Sequence, residues 1–184
     1  DNMILRFRLF NWRFTFVAAP VVDVIGVNSE LPDGNHILMW DFDDTDFWAV
    51  HDALLHVQRT YKLPNIYILE TKPKTNFIAY CFKRLPWRKV VEIIAYTPGV
   101  DWYFFKYGVY REKFTLRVSA KEGRKPRLVY VLRSPEPEDV FIEDLKSWVK
   151  YETWPSNYKG PRIELEVKRE GWRIKVEKKD TGNG

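Results

Sequence analysis

The chain has 184 residues, enough for one domain that buries roughly two-thirds of its unfolded surface. Its 45% hydrophobic and 30% charged content excludes a disordered chain, and no apolar run reaches the ~20 residues of a membrane span. A net charge of +5 is compatible with a polyanionic partner, and 8 tryptophans interleaved with Arg and Lys suit a single strand, because every base has a face to stack.

Residues 4–18 alternate apolar with basic or polar residues, as half-buried strands do. "LPDGNH" (31–36) reads as a turn and residues 36–42 as a strand. Phe47, Val50, Leu54 and Val57 have helical spacing within a helix over 45–61, capped by Thr45 or Asp44. Residues 66–71 and 77–82 flank "KPKTN" as a hairpin, and Pro86 opens a second helix over 86–96. Strands are expected at 102–110, 113–120 and 127–133, a helix at 137–149, and a closing hairpin from residues 162–167 and 172–176.

These elements describe one α+β domain over residues 1–184, with a core at 36–121, N-terminal strands in 4–35 and a C-terminal helix and hairpin in 127–176. The core order, strand, helix, strand, strand, helix, strand, is a split βαβ (RNA-recognition-like) pattern. It builds an antiparallel sheet with two helices on one face and leaves the other face free. Cys81 is the single cysteine and lies in a strand-like alternation, as a buried thiol would. Its solitude, with no leader sequence at the start, points to a reducing, cytoplasmic setting, which includes a nucleoid or viral replication complex.

The chemistry concentrates in "LMWDFDDTD" (38–46), where an apolar strand ends in Asp41, Asp43, Asp44 and Asp46. Alternate strand residues share a face, so Asp41 and Asp43 point the same way. Two converging carboxylates favour a hard divalent ion, Mg²⁺ or Mn²⁺, as in two-metal nucleotidyl transfer. The other account of these acids is a solvated strand end that favours the following helix N-terminus.

"ILMWDFD" resembles the first motif of the archaeo-eukaryotic primase-polymerase (PrimPol-like) superfamily, an apolar strand ending Asp-x-Asp, on a catalytic module with the same RNA-recognition-like core. The resemblance covers about 85 residues. It implies metal-dependent nucleotidyl transfer on a single-stranded DNA or RNA template, with Asp41 and Asp43 as catalytic metal ligands. The second motif corresponds to "KPKTNFIAYCF", which implies nucleotide contacts from Lys74, Thr75 and Asn76; Ile78, or Phe77 one position off, stands where the superfamily has a histidine. "YGVYREKFTLRVSAK" (107–121) is similar to the third motif and implies phosphate contacts from Arg117 and Lys121, on one strand four residues apart. There Lys106 precedes "GVY" in place of an acid, and Asp101 is the nearest carboxylate. Nucleoside triphosphates are the implied substrates, with a helicase or a second primase domain as conceivable partners and no membrane.

"KRLPWRK" (83–89) puts Arg84, Trp87 and Arg88 at a helix start, suited to gripping a phosphate backbone with Trp87 as a stacking platform, or to a solvated loop with Trp87 half-buried. "KEGRKPR" (121–127) is a basic hairpin tip open to the same two accounts. Two functions of other classes use the same residues: a non-catalytic module that binds nucleotide or single strands, and a Mg²⁺-dependent nuclease.

Overall fold

The computed structural model describes residues 3–9, 12–18, 22–145, 148–153, 162–168 and 171–177. The chain divides into two compact units, residues 22–153 and residues 1–21 with 154–184. In the smaller unit β1 (Met3–Leu9) pairs antiparallel with β2 (Trp12–Ala18), so the alternating run 4–18 supplies two paired strands. Residues 10–11 between them lie outside the described residues.

The larger unit is α+β, with three helices and two antiparallel sheets. β3 (Val22–Asn28) turns through residues 30–36 into β4 (His36–Phe42), and α1 (Phe47–Tyr61) carries the chain to β5 (Ile66–Lys72). β6 (Asn76–Leu85) inserts between β4 and β5, antiparallel to both, which is the split βαβ arrangement. α2 (Trp87–Tyr96) follows. With β8 (Arg127–Leu132) at the far edge, the large sheet runs β4-β6-β5-β8.

Period-2 alternation decides which residues this sheet buries under its helices. Trp40, Phe42, Phe77, Ala79, Cys81, Ile66 and Ile68 form one buried face, in one core with Val50, Leu54 and Val57 of α1 and Val90, Ile93 and Ile94 of α2. The Trp40 indole satisfies its N–H there by donating to Thr97 Oγ1 at 2.9 Å. Burial pushes the Cys81 thiol up from its ordinary value, as befits an inert core residue.

Three expectations need correction. The aromatic-rich run 102–110 reads as a strand but forms helix α3 (Trp102–Arg111). Asp101 caps it, accepting from Phe104 N at 2.7 Å, and Phe104, Phe105 and Gly108 turn one side of the helix onto buried Phe114. That packing and the cap override the strand preference of aromatic residues. The expected strand 113–120 shrinks to β7 (Thr115–Arg117). It leaves the large sheet and pairs with β3, which also pairs with β9 (Trp148–Thr153), in the order β7-β3-β9.

The helix expected at 137–149 is a single 3₁₀ turn, Ile142–Asp144, before β9; residues 146–147 lie outside the described residues. Asp144 spends its carboxylate on Phe141 N (3.0 Å), a local bond that competes with helix, and Asp139 is drawn away to the distant Arg84 N (2.6 Å). The second face of the large sheet is not free along its length either, since Met39, Ile78 and Tyr80 on it are buried.

In the smaller unit β10 (Arg162–Lys168) pairs with β11 (Gly171–Glu177), the expected closing hairpin; its linking residues 169–170 lie outside the described residues. No helix among the described residues is long and apolar enough to cross a membrane.

Candidate functional site

The acids after Trp40 divide their work. Asp46 caps α1, accepting from Trp48 N (2.9 Å) and Ala49 N (3.2 Å), where Thr45 or Asp44 was the expected cap. Asp44 turns the chain with a left-handed φ of 51°, and Thr45 N–H donates to Thr75 O at 2.8 Å, fastening the turn to the β5–β6 hairpin. Asp41 remains, on the face of β4 turned away from α1 and α2, with Asp43 just past the end of the strand.

Asp41 stands directly opposite Ile78 in the β4–β6 ladder, whose last pair is Phe42 with Phe77, and Asp43 beyond it is met by the Asn76 side chain. Burial raises the Asp41 carboxyl to about 8, helped by the charges of Asp43 and Asp101; the Phe42 N–H and Arg117 oppose them. Burial also raises Asp43, against the Asn76 amide, which donates to Asp43 Oδ1. Asp101, sixty residues on, is brought alongside when its N–H donates to the Asp41 carbonyl at 2.8 Å. Its carboxylate caps α3, and among the described residues no three His, Cys, Asp or Glu side chains form a group that could hold one ion. Asp41 and Asp43 offer two oxygen ligands, which suits Mg²⁺ or Mn²⁺ when a phosphate-bearing ligand completes the shell.

Arg117 ends β7 close enough to Asp41 and Tyr151 to feel both; burial lowers its pKa, and its guanidinium donates to Ser119 O (2.8 Å) and Arg124 O (3.0 Å). Lys121 is not on that strand but in a turn closed by a Lys121–Arg124 bridge, so the shared strand face expected for the two cations does not exist. Lys121 nevertheless lies within the fields of Arg117 and Asp43; burial lowers its pKa and Glu122 opposes the shift. Carboxylates and cations are thus gathered from β4, the start of α3, β7 and the turn after it.

No protein-family model, curated protein or solved structure matches this chain.

Two residues that sequence reasoning passes over complete the surroundings of Asp41. Tyr80, two positions beyond Ile78 on the same face of β6, is 8% exposed, and its hydroxyl has no hydrogen-bond partner among the described residues. Tyr151 of β9 interacts electrostatically with Tyr80, Asp41 and Arg117. Its ring occupies space that only glycine leaves: a Cβ on Gly26 would meet Tyr151 Cε1 at 2.8 Å and Leu116 O at 2.9 Å. Tyr80 was findable from the alternation of β6. Nothing in the sequence points to Tyr151, because the expected helix 137–149 overlaps only the first two residues of β9 and no element is expected at 150–153.

On the other side of Asp41 a cavity of about 190 Å³ opens between β4, β7 and α3. Asp41 and Asp101 meet Tyr103, Tyr107, Arg111 and Lys113 around it. Lys113 pairs with Glu30 at 3.5 Å, and Arg111 lies over the Tyr107 ring, 5.7 Å from its centroid.

The other expected site residues fall in two places. Lys74 and Thr75 form the β5–β6 turn, Lys74 with φ 65° and its N–H on Glu70 Oε1 at 2.9 Å, Thr75 with its hydroxyl on Asn76 Oδ1 at 2.7 Å. Only Asn76 of the three touches a carboxylate of the site. Arg84 is bound to Asp33 and lies 3.9 Å from Asp144; hydrogen bonds from Asn35, then Arg84, hold Asp33 down to about 2. Trp87 is half-buried, its ring 4.8 Å from His36 and 5.2 Å from Phe114, while Arg88 is exposed. Lys106 sits on the exposed side of α3.

Proposed function

We propose that this protein binds a nucleoside triphosphate beside Asp41 and Asp43 and transfers its nucleotidyl group to a growing strand on a single-stranded template, in the manner of the primase-polymerase superfamily it resembles. One juxtaposition supports the reading. Asp41 on β4 and Asp43 just past its end feel each other's charge, and the cations Arg117 and Lys121 stand within their field, although these residues come from segments far apart in sequence. A bound Mg²⁺ or Mn²⁺ would supply charge neutralisation for the triphosphate and polarise the attacking hydroxyl.

The protein's own groups do the rest. Asn76 fixes the Asp43 carboxylate by its amide, and the backbone bond from Asp101 to the Asp41 carbonyl fixes the end of β4. Arg117 and Lys121 are fixed cations for the phosphoryl oxygens, whose charge shifts as the bond to the leaving pyrophosphate breaks. The apolar Ile78 opposite Asp41 favours a second reading, a nucleotide-binding module without transfer.

Primer-extension and de novo synthesis assays in Mg²⁺ and in Mn²⁺ test both. Product should form with the wild type and vanish with Asp41→Asn, and Arg117→Ala should lower turnover by roughly 10²–10³-fold, the loss typical of one electrostatic donor. Product that survives Asp41→Asn refutes the proposal. Triphosphate binding without product in either metal selects the second reading.

A further inference from the structure

Within "KRLPWRK" Arg88 is left exposed, but Arg84 is ion-paired and Trp87 packs on His36 and Phe114. Helix α3 has the opposite character. Its inner side is Phe104, Phe105 and Gly108, and its outer side, where a polar surface would be ordinary, carries rings. Trp102 is 63% exposed, Tyr107 45% and Tyr110 80%.

These rings are ordered by the helical repeat. Trp102, Lys106 and Tyr110, spaced by four, form one row, and Tyr103, Tyr107 and Arg111 form a second beside it. In the second row the Tyr103 and Tyr107 rings stack with centroids 6.4 Å apart and planes at 23°, and Arg111 continues the stack over Tyr107. Trp102 and Tyr110 are separated by about 12 Å along the axis, room for bases between them.

Charge identifies what this face takes. Lys106 and Arg111 have no carboxylate partner among the described residues; of the two acids flanking the helix, Asp101 spends its carboxylate on the N-cap, and Glu112, left-handed at φ 57°, closes the other end through its backbone N–H. A face with stacked rings, cations and no acid of its own is complementary to bases strung on a polyanion. Position adds to this: Tyr103, Tyr107 and Arg111 line the same cavity as Asp41 and Asp101.

We infer that the outer face of α3 is a binding platform for single-stranded nucleic acid, with bases stacking on Trp102, Tyr107 and Tyr110 and phosphates held by Lys106 and Arg111, leading the strand to the carboxylates. The direction of travel rests on the proposed nucleotidyl transfer; the platform itself does not.

Fluorescence anisotropy of labelled dT15, U15 and a 15-base-pair duplex with the full chain tests the platform, with anionic phospholipid vesicles as a further arm. Both single strands should bind more tightly than the duplex. Trp102→Ala with Tyr110→Ala should weaken dT15 binding about 5- to 100-fold without altering its salt dependence, whereas Trp102→Phe with Tyr110→Phe, which keeps both rings, should retain most of the affinity. Lys106→Ala with Arg111→Ala should reduce the salt slope by roughly 0.7 per cation. Trp48→Ala, which removes an equally exposed ring from α1, is expected to bind as wild type. Wild-type affinity in the Trp102/Tyr110 alanine variant, equal binding of the duplex, or binding to vesicles alone overturns the inference. Calorimetry of Mn²⁺ with dTTP on the same proteins reports separately on the carboxylates: failure there sinks the proposed transfer and leaves the platform standing, and the reverse pattern removes the platform alone.

Discussion

Replacing Asp41 by Asn should stabilise the protein, and the gain should grow with pH. The Asp41 carboxyl titrates near 3.8 when unfolded and at about 8 when folded, because burial, Asp43 and Asp101 all oppose its charge. Below pH ~4 it is protonated in both states and costs nothing. Between pH ~4 and ~8 the folded state keeps a proton that the unfolded state releases, so stability falls as pH rises; above ~8 the loss is complete and constant. One proton corresponds to about 1.4 kcal/mol per pH unit, so from pH 5.5 to 7.5 the wild type should lose about 2–3 kcal/mol relative to Asp41→Asn. Urea denaturation of both proteins at half-unit pH intervals measures this directly. If the two stability profiles run parallel across that range, the carboxyl is ordinarily solvated and the crowding of acids around β4 is refuted. Mn²⁺ supplies a second arm at pH 7.5, since saturation a hundredfold above its dissociation constant should add about 2.7 kcal/mol to the wild type and much less to the variant.

Gly108→Ala should destabilise although alanine favours helix by ~1 kcal/mol, because the added methyl overlaps the Phe114 ring and overpacking costs ~1–3 kcal/mol; a raised Tm would mean that α3 does not rest on Phe114. Gly26→Ala should displace the Tyr151 ring, with a change in the near-ultraviolet circular dichroism and a loss of ~1–3 kcal/mol in denaturant; an unchanged spectrum with full stability would put Tyr151 elsewhere. Trp87→Ala should cost about 2 kcal/mol of stability in urea, as a half-buried ring does, and a loss near zero would return Trp87 to the solvent.

What the sequence disclosed here followed from local periodicity. β4, α1, the β5–β6 hairpin and α2 each declare themselves within a dozen residues, and so the split βαβ order was legible. Residues 102–110 misled because aromatic residues favour strands, while the helix is decided by Asp101 as a cap and by a ring, Phe114, that lies beyond the helix. Asp101 itself was visible as an acid, but its placement beside Asp41 depends on a backbone bond across sixty residues. Lys121 comes within the field of Asp43 and Arg117 by way of a turn rather than the shared strand face that a four-residue spacing suggests. Trp87 takes the half-buried place that was one of its two accounts, yet nothing nearby in sequence announces Phe114 as its neighbour, or Asp33 and Asp144 as those of Arg84.

The pairing of β3 with β9 sets a timetable for assembly. Val22 lies opposite Thr153 and Val24 opposite Tyr151, so closing this ladder means joining the two ends of the larger unit across nearly its whole length. Such closures carry a large loop entropy and come late, whereas β4, β5 and β6 need only the short connections through α1 and the hairpin. The strand bearing Asp41 is therefore in place before Tyr151 can reach Gly26 to wall in its carboxylate. On a ribosome the nascent chain would hold Asp41 open to water until residue 151 had emerged and only then wall it in, while Asp43 stays exposed. Stopped-flow refolding should register that order as a sheet signal preceding the burial of the Tyr151 ring.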